Sequence, residues 1–190
     1  MCRIAAILAA SVIIVLSAGC DSDPAGIVTP VELSLGNALE YAKPVRDSLF
    51  PTGEMFMVSC IDVDDEGFPQ TGVPWQVYYA DPADSSEILI VMVMELGVTT
   101  HLWQDSTSVP LGILPEYDHA GPWVEAAKDS LGQQYSDWEE YALVVKGNEY
   151  PDFPLVLNVA VLQFMSPDTT QQISVILDSD SDSVLGFIQY

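Results

Sequence analysis

Positive charge is what this sequence has least of. Only five of its 190 residues are Lys or Arg, against 28 Asp and Glu. Nucleic-acid binding rests on clustered Lys and Arg that neutralise phosphates. Lys43, Arg46, Lys128 and Lys146 are too few and too scattered to form such a patch. A long apolar run is also missing. The longest uncharged apolar stretch near the start, residues 4–16, is 13 residues long, whereas a helix needs about 20 to cross a bilayer. Catalytic signatures are lacking as well. There is no Gly-x-Ser-x-Gly elbow, no phosphate-cradling glycine loop and no thiol beside a basic group. The two histidines, His101 and His119, lie near Asp105 and Asp118 without the His-Glu-x-x-His spacing of a zinc site. No catalytic residue, metal ligand or cofactor is therefore expected.

What is present begins with "MCRIAAILAASVIIVLSAGC". One positive charge, Arg3, precedes the apolar run, and the small residues Ser17, Ala18 and Gly19 precede Cys20. That is the three-part layout of a secretory signal. The end, "LSAGC", resembles the bacterial lipobox, with Ser17 where leucine is usual and Leu16 one place further back. The resemblance implies cleavage before Cys20, acylation of Cys20, and a lipid anchor on the extracytoplasmic side of a bacterial membrane, inner or outer. Ordinary secretion is the alternative. If residues 1–20 are removed, all 28 acids and four of the five basic residues stay. A charge of that sign keeps a domain soluble and is repelled by anionic lipid, so the tether would hold it.

Cysteine is scarce too. Cys2 would leave with the signal and Cys20 would carry lipid, which leaves Cys60 without an intramolecular partner. Alternation in "MFMVSCID" puts Phe56, Val58 and Cys60 on one strand face, where a free thiol behaves as a small buried hydrophobe.

Nearly half of the residues are hydrophobic, at 49%, so the chain can build a core. Residues 21–32, "DSDPAGIVTPVE", read as an acidic flexible tether. Residues 33–100 read as a helix followed by strands. Leu35, Leu39, Ala42, Val45 and Leu49 stand at helical spacing, with Pro44 kinking the helix or marking its start. The strands "EMFMVSCIDV", "WQVYYA" and "EILIVMVMEL" follow, separated by the turns "DDEG" and "DPADSS". Residues 101–119 are broken by Pro110, Gly112 and Pro115 and read as a connection. Residues 120–190 repeat the order. Gly-Pro opens a helix with Trp123, Ala127, Leu131 and Tyr135 on one face, then "EYALVVKG", "LVLNVAVLQF" and "QISVILD" form strands, and "ILDSDSDSVLG" reads as strand, turn, strand.

The halves superimpose with one gap. "YAKPVRDSLF" lies on "WVEAAKDSLG", and after an insertion behind the second helix, Glu54, Pro82 and Ile88 fall on Glu139, Pro167 and Ile173 at one constant offset. The expected fold is α+β, as two similar helix-on-antiparallel-sheet units, with Leu49 and Leu131 in matching buried positions. Gly97 and Asp182 face each other in this alignment, and both residue types tolerate positive φ. Helix plus antiparallel strands, duplicated, with Asp178, Val184 and Leu185 in a closing turn, resembles the PepSY-type modules of bacterial envelope proteins. This chain has Asp182 where their glycine is usual and lacks their threonine. The likeness covers residues 33–96 and 120–190, and cystatin-like folds share the plan. It implies a non-catalytic binding or modulatory role toward another envelope protein or peptide, such as a peptidase.

Two acidic runs suggest calcium. "DSDSDS", from Asp178, has Ser183 at the sixth position and Gln189 at the twelfth, so it fails the EF-hand pattern. "DVDDEG", from Asp62, has Gly67 at its sixth position but Val73 at its twelfth. Acidic hairpin turns are the expectation, and a calcium- or small-ligand-binding module is the functional alternative. An acidic hydrolase would instead need carboxylates converging from different strands. Finally, "ILIVMVM", residues 88–94, is continuous instead of alternating and predicts a strand buried on both faces in the core, or one with helices on one face and a partner on the other.

Overall fold

The computed structural model describes residues 33–104 and 112–190. Ser34 opens the first helix, α1 (Leu35–Leu49), by accepting a 3.2 Å hydrogen bond from the Asn37 N–H. Leu35, Ala38, Leu39, Ala42 and Val45 form its buried stripe. Pro44 lies inside the helix but on the solvent side, where the backbone carbonyl it leaves unpaired can turn to water. Arg46 closes the helix end by donating from Nη1 to the Gly53 carbonyl at 2.8 Å, with its guanidinium 5.7 Å from the Tyr79 ring.

Four strands follow α1: β1 (Glu54–Cys60), β2 (Trp75–Asp81), β3 (Asp84–Met94) and β4 (Gly97–Gln104). Residues 101–104 thus belong to β4 and not to a connection, which begins later than the sequence suggests. The second helix, α2 (Gly121–Leu131), starts with Pro122 in its first turn, ends at Gly132, and leads into a short 3-10 turn, Gln133–Tyr135. Tyr135 is in that turn and not on the helix. Then come β5 (Glu139–Gly147), β6 (Asn158–Met165), β7 (Gln172–Asp178) and β8 (Val184–Gln189).

All eight strands form one antiparallel sheet in the order β4-β3-β2-β1-β5-β6-β7-β8. The two expected units are therefore halves of a single layer, joined where β1 pairs with β5 through Val58↔Val145 and Cys60↔Leu143. Both helices cover the same face, α1 over β2 and β3, α2 over β6, β7 and β8. Under them lies one continuous core that includes Val58, Cys60, Trp75, Val77, Val91, Val93, Leu143, Val145, Leu162, Phe164, Val175 and Leu177. Trp75 is fully buried, and its Nε1 donates to the Leu33 carbonyl at 2.9 Å, fixing the chain just ahead of α1.

The other sheet face has two smaller apolar clusters. Ala80, Ile88 and Ile90 pack with Phe56, Tyr78 and Met92. Val159, Val161 and Ile176 pack with Tyr150, Phe153 and Val156 from the β5–β6 connection. β3 is thus buried on both faces, as its continuous apolar run predicts.

Two further expectations fail. Phe56 lies on the face opposite Val58 and Cys60, because the ladder shifts register between Met55 and Met57. Leu131 is 7% exposed, but Leu49 is 49% exposed. Leu49 is the last residue of α1, beyond the part of the helix that lies on the sheet. Shared Asp-Ser-Leu triplets therefore do not make equivalent core positions. Gly97 and Asp182 both have positive φ, at 147° and 56°.

Candidate functional site

The connection between β1 and β2 is built around Asp64. Its Oδ1 accepts from the backbone N–H groups of Glu66 and Phe68 at 3.0 and 2.9 Å. Gly67 has φ +81°, and a Cβ there would meet the Gly121 nitrogen at 2.5 Å, so the loop tip lies directly against the start of α2. This closeness draws Asp62, Asp64, Asp65 and Glu66 toward Glu139 and Glu140 of β5, around a cleft of about 680 Å³. The converging carboxylates come from a loop and one strand, whereas the hydrolase alternative requires them from different strands.

Their chemistry points elsewhere. Lys128 of α2 makes ion pairs with both Asp65 and Glu140. The Glu140 side chain is only 8% exposed, so Lys128 supplies the cation that a buried carboxylate needs. Hydrogen bonding and charge from Lys128 hold the Asp65 carboxyl below the usual range. Burial acts to lower the Lys128 pKa, but Asp65 and Glu140 outweigh it and raise it. A general acid at neutral pH needs a carboxyl raised toward that pH, the opposite of Asp65. Asp64 builds the loop, Asp65 fastens it to Lys128 of α2, and Glu140 ties the same lysine to β5. Among the described residues, no group of three or more His, Cys, Asp or Glu side chains is arranged to hold a metal ion.

The other acidic run is also structural. Asp178 Oδ1 accepts from the Asp180 N–H at 3.0 Å, and Oδ2 accepts from the Ser181 hydroxyl at 2.9 Å. Ser179 is buried; its carbonyl accepts from Trp123 Nε1 at 3.3 Å, and its hydroxyl lies 2.8 Å from the Tyr117 hydroxyl. The β7–β8 turn is thereby held by α2 and by the connection before it.

The remaining candidates lie apart. His101 is on β4, whereas His119 adjoins the start of α1, where the Gly36 N–H donates to the Asp118 carbonyl at 3.0 Å. Cys60 is fully buried, its thiol donates to the Asp62 carbonyl at 3.3 Å, and burial raises its pKa to about 11. Cys20, the expected lipidation site, lies outside the described residues. The Lys128–Glu140–Asp65 cluster has no signature in the sequence, because Asp65 lies in a loop far from α2 and β5 in the chain.

No protein-family model matches the chain, nor does any curated protein. A solved structure does. A candidate lipoprotein from Clostridium difficile 630 has the same fold at a TM-score of 0.58 and 8% identity, over 86% of this chain and 97% of that one. At that identity the likeness is one of fold.

Proposed function

We propose that this chain is a lipid-anchored protein of the bacterial envelope, tethered through Cys20, whose α+β domain binds another envelope protein or peptide without catalysis. The "LSAGC" stretch after an apolar run too short to span a bilayer carries the reading. The fold shared with the candidate lipoprotein from Clostridium difficile supports it. The described residues include no helix long and apolar enough to cross a membrane, so a lipid on Cys20 would be the attachment. Fractionation of cells carrying the native chain or Cys20→Ala tests this. The native protein is expected in the membrane fraction and the variant in an uncleaved or mislocalised form. Equal processing and membrane retention of both would overturn the reading.

The domain itself is a duplication of a PepSY-like helix-plus-four-strand unit. Strand registers support this better than sequence identity does. Glu54 pairs with Ala80 in the first half, and the residues that the alignment lays on them, Glu139 and Met165, pair in the second. Each ladder then skips one residue at the same step, between Met55 and Met57 and between Glu140 and Ala142. A bulge is a specific local device, and its recurrence at one offset in both halves is unlike chance packing. At the centre, Ser59 pairs with Val144, its own counterpart in the alignment, so the two units would be related by a pseudo-twofold axis through that pair.

A further inference from the structure

The two edges of the sheet differ in how they are protected. β8 is six residues long, its ladder shifts register between Ile176 and Leu177, and Phe153 lies against its Gly186. Shortness, irregularity and a covering side chain are ordinary ways to blunt an edge. Among the described residues β4 has none of them. It pairs with β3 through eight successive residues, from Glu87↔Gln104 to Met94↔Gly97, without a shift. Its sequence, "GVTTHLWQ", has no Lys, Asp, Glu or Pro in a chain with 28 acids. About half of its backbone N–H and C=O groups turn away from β3. Leu102 and Trp103, pointing to opposite faces, are 55% and 52% exposed.

We infer that β4 is a strand-addition site for an extended segment of another polypeptide, apolar or Thr-rich in the middle and basic at both ends. This rests on the binding role proposed above and names the chemistry of the partner. Main-chain pairing supplies affinity, while alternate side chains meet Leu102 on one face and Trp103 on the other. The charge follows from the strip's ends. Glu95 lies in the β3–β4 turn at one end of the strip. At the other, Glu87 pairs with Gln104, the last residue of β4, and Asp84 stands further along β3, opposite Asp81 of β2, so carboxylates lie toward both ends. A second copy laid antiparallel on this edge would bring Glu95 of each chain to the Asp84 end of the other, acid on acid, between molecules of net charge −23. A heterologous basic segment meets the opposite.

Amide hydrogen exchange of the full chain in detergent micelles tests the assignment. The probes are a short peptide of alternating Val and Thr with lysines at both ends, and the same peptide with glutamates there. The lysine peptide is expected to slow exchange in Gly97–Gln104 by about tenfold or more, with β8 unchanged and the glutamate peptide inactive. Equal protection by both peptides, protection of β8 instead, or none at β4 would overturn it. Crosslinking in intact envelopes separates this from the broader reading. A partner held at another surface would overturn the β4 assignment and spare the binding role. Peptide protection of β4 with no partner crosslinked anywhere would overturn the binding role and spare the site.

Discussion

Glu140 holds in β5 the place that Met55 holds in β1, at the same step before a bulge, yet one is a carboxylate and the other a thioether. Lys128 makes the difference tolerable. Lys128→Met is expected to cost about 1 to 3 kcal/mol in urea unfolding, less than a fully buried pair because Lys128 is itself about one-third exposed. The double variant Lys128→Met with Glu140→Met should return to within about 1 kcal/mol of the native value, since apolar replacement of a buried pair is often neutral. Asp65 is mostly exposed, and Asp65→Ala should cost less than about 1 kcal/mol. Its folded pKa lies below the ordinary value of 3.8, so its contribution is present above that pH and fades as pH falls through the folded value. The deficit of Asp65→Ala should therefore vanish in acid, and a deficit that persisted there would mean a role other than the ion pair. Cys60 is expected to resist iodoacetamide at mildly alkaline pH until the protein unfolds, because its thiolate forms only near pH 11. Rapid labelling of the folded chain would contradict its burial.

Elements were legible where one face or both are buried outright. The helical stripe Leu35, Leu39, Ala42, Val45 and the continuous run of β3 announce themselves. β4 does not. "GVTTHLWQ" is half exposed on both faces, so it shows neither alternation nor a buried run. Leu49 misled for a related reason: helical spacing continues to the last residue of α1, although the sheet beneath does not. Leu131→Ala should thus cost about 2 to 5 kcal/mol and Leu49→Ala less than about 1. Similar losses in the two variants would show that Leu49 is covered. Gly67→Ala tests how the β1–β2 loop meets α2. Positive φ and the contact with Gly121 together predict a loss of about 1 to 3 kcal/mol, and a neutral result would mean that the loop moves aside freely.

At the scale of the molecule, the sequence showed an α+β chain with a helix leading each half, but not that β1 and β5 would fuse the halves into one sheet. Strand order is set by long-range pairing, and nothing local in "EMFMVSC" or "EEYALVVKG" names its partner. The candidate site was legible only as acids. Which of them build turns and which clasp Lys128 depends on the close approach of Gly67 to Gly121, a contact across the fold. The proposed location, by contrast, rests on the first twenty residues, outside the described structure. Mass spectrometry of the N-terminal peptide from protein extracted from membranes tests that claim most directly. The expected result is a chain that begins at Cys20 and carries acyl groups on that residue; an unmodified Cys20, or a chain that still begins at Met1, would contradict it.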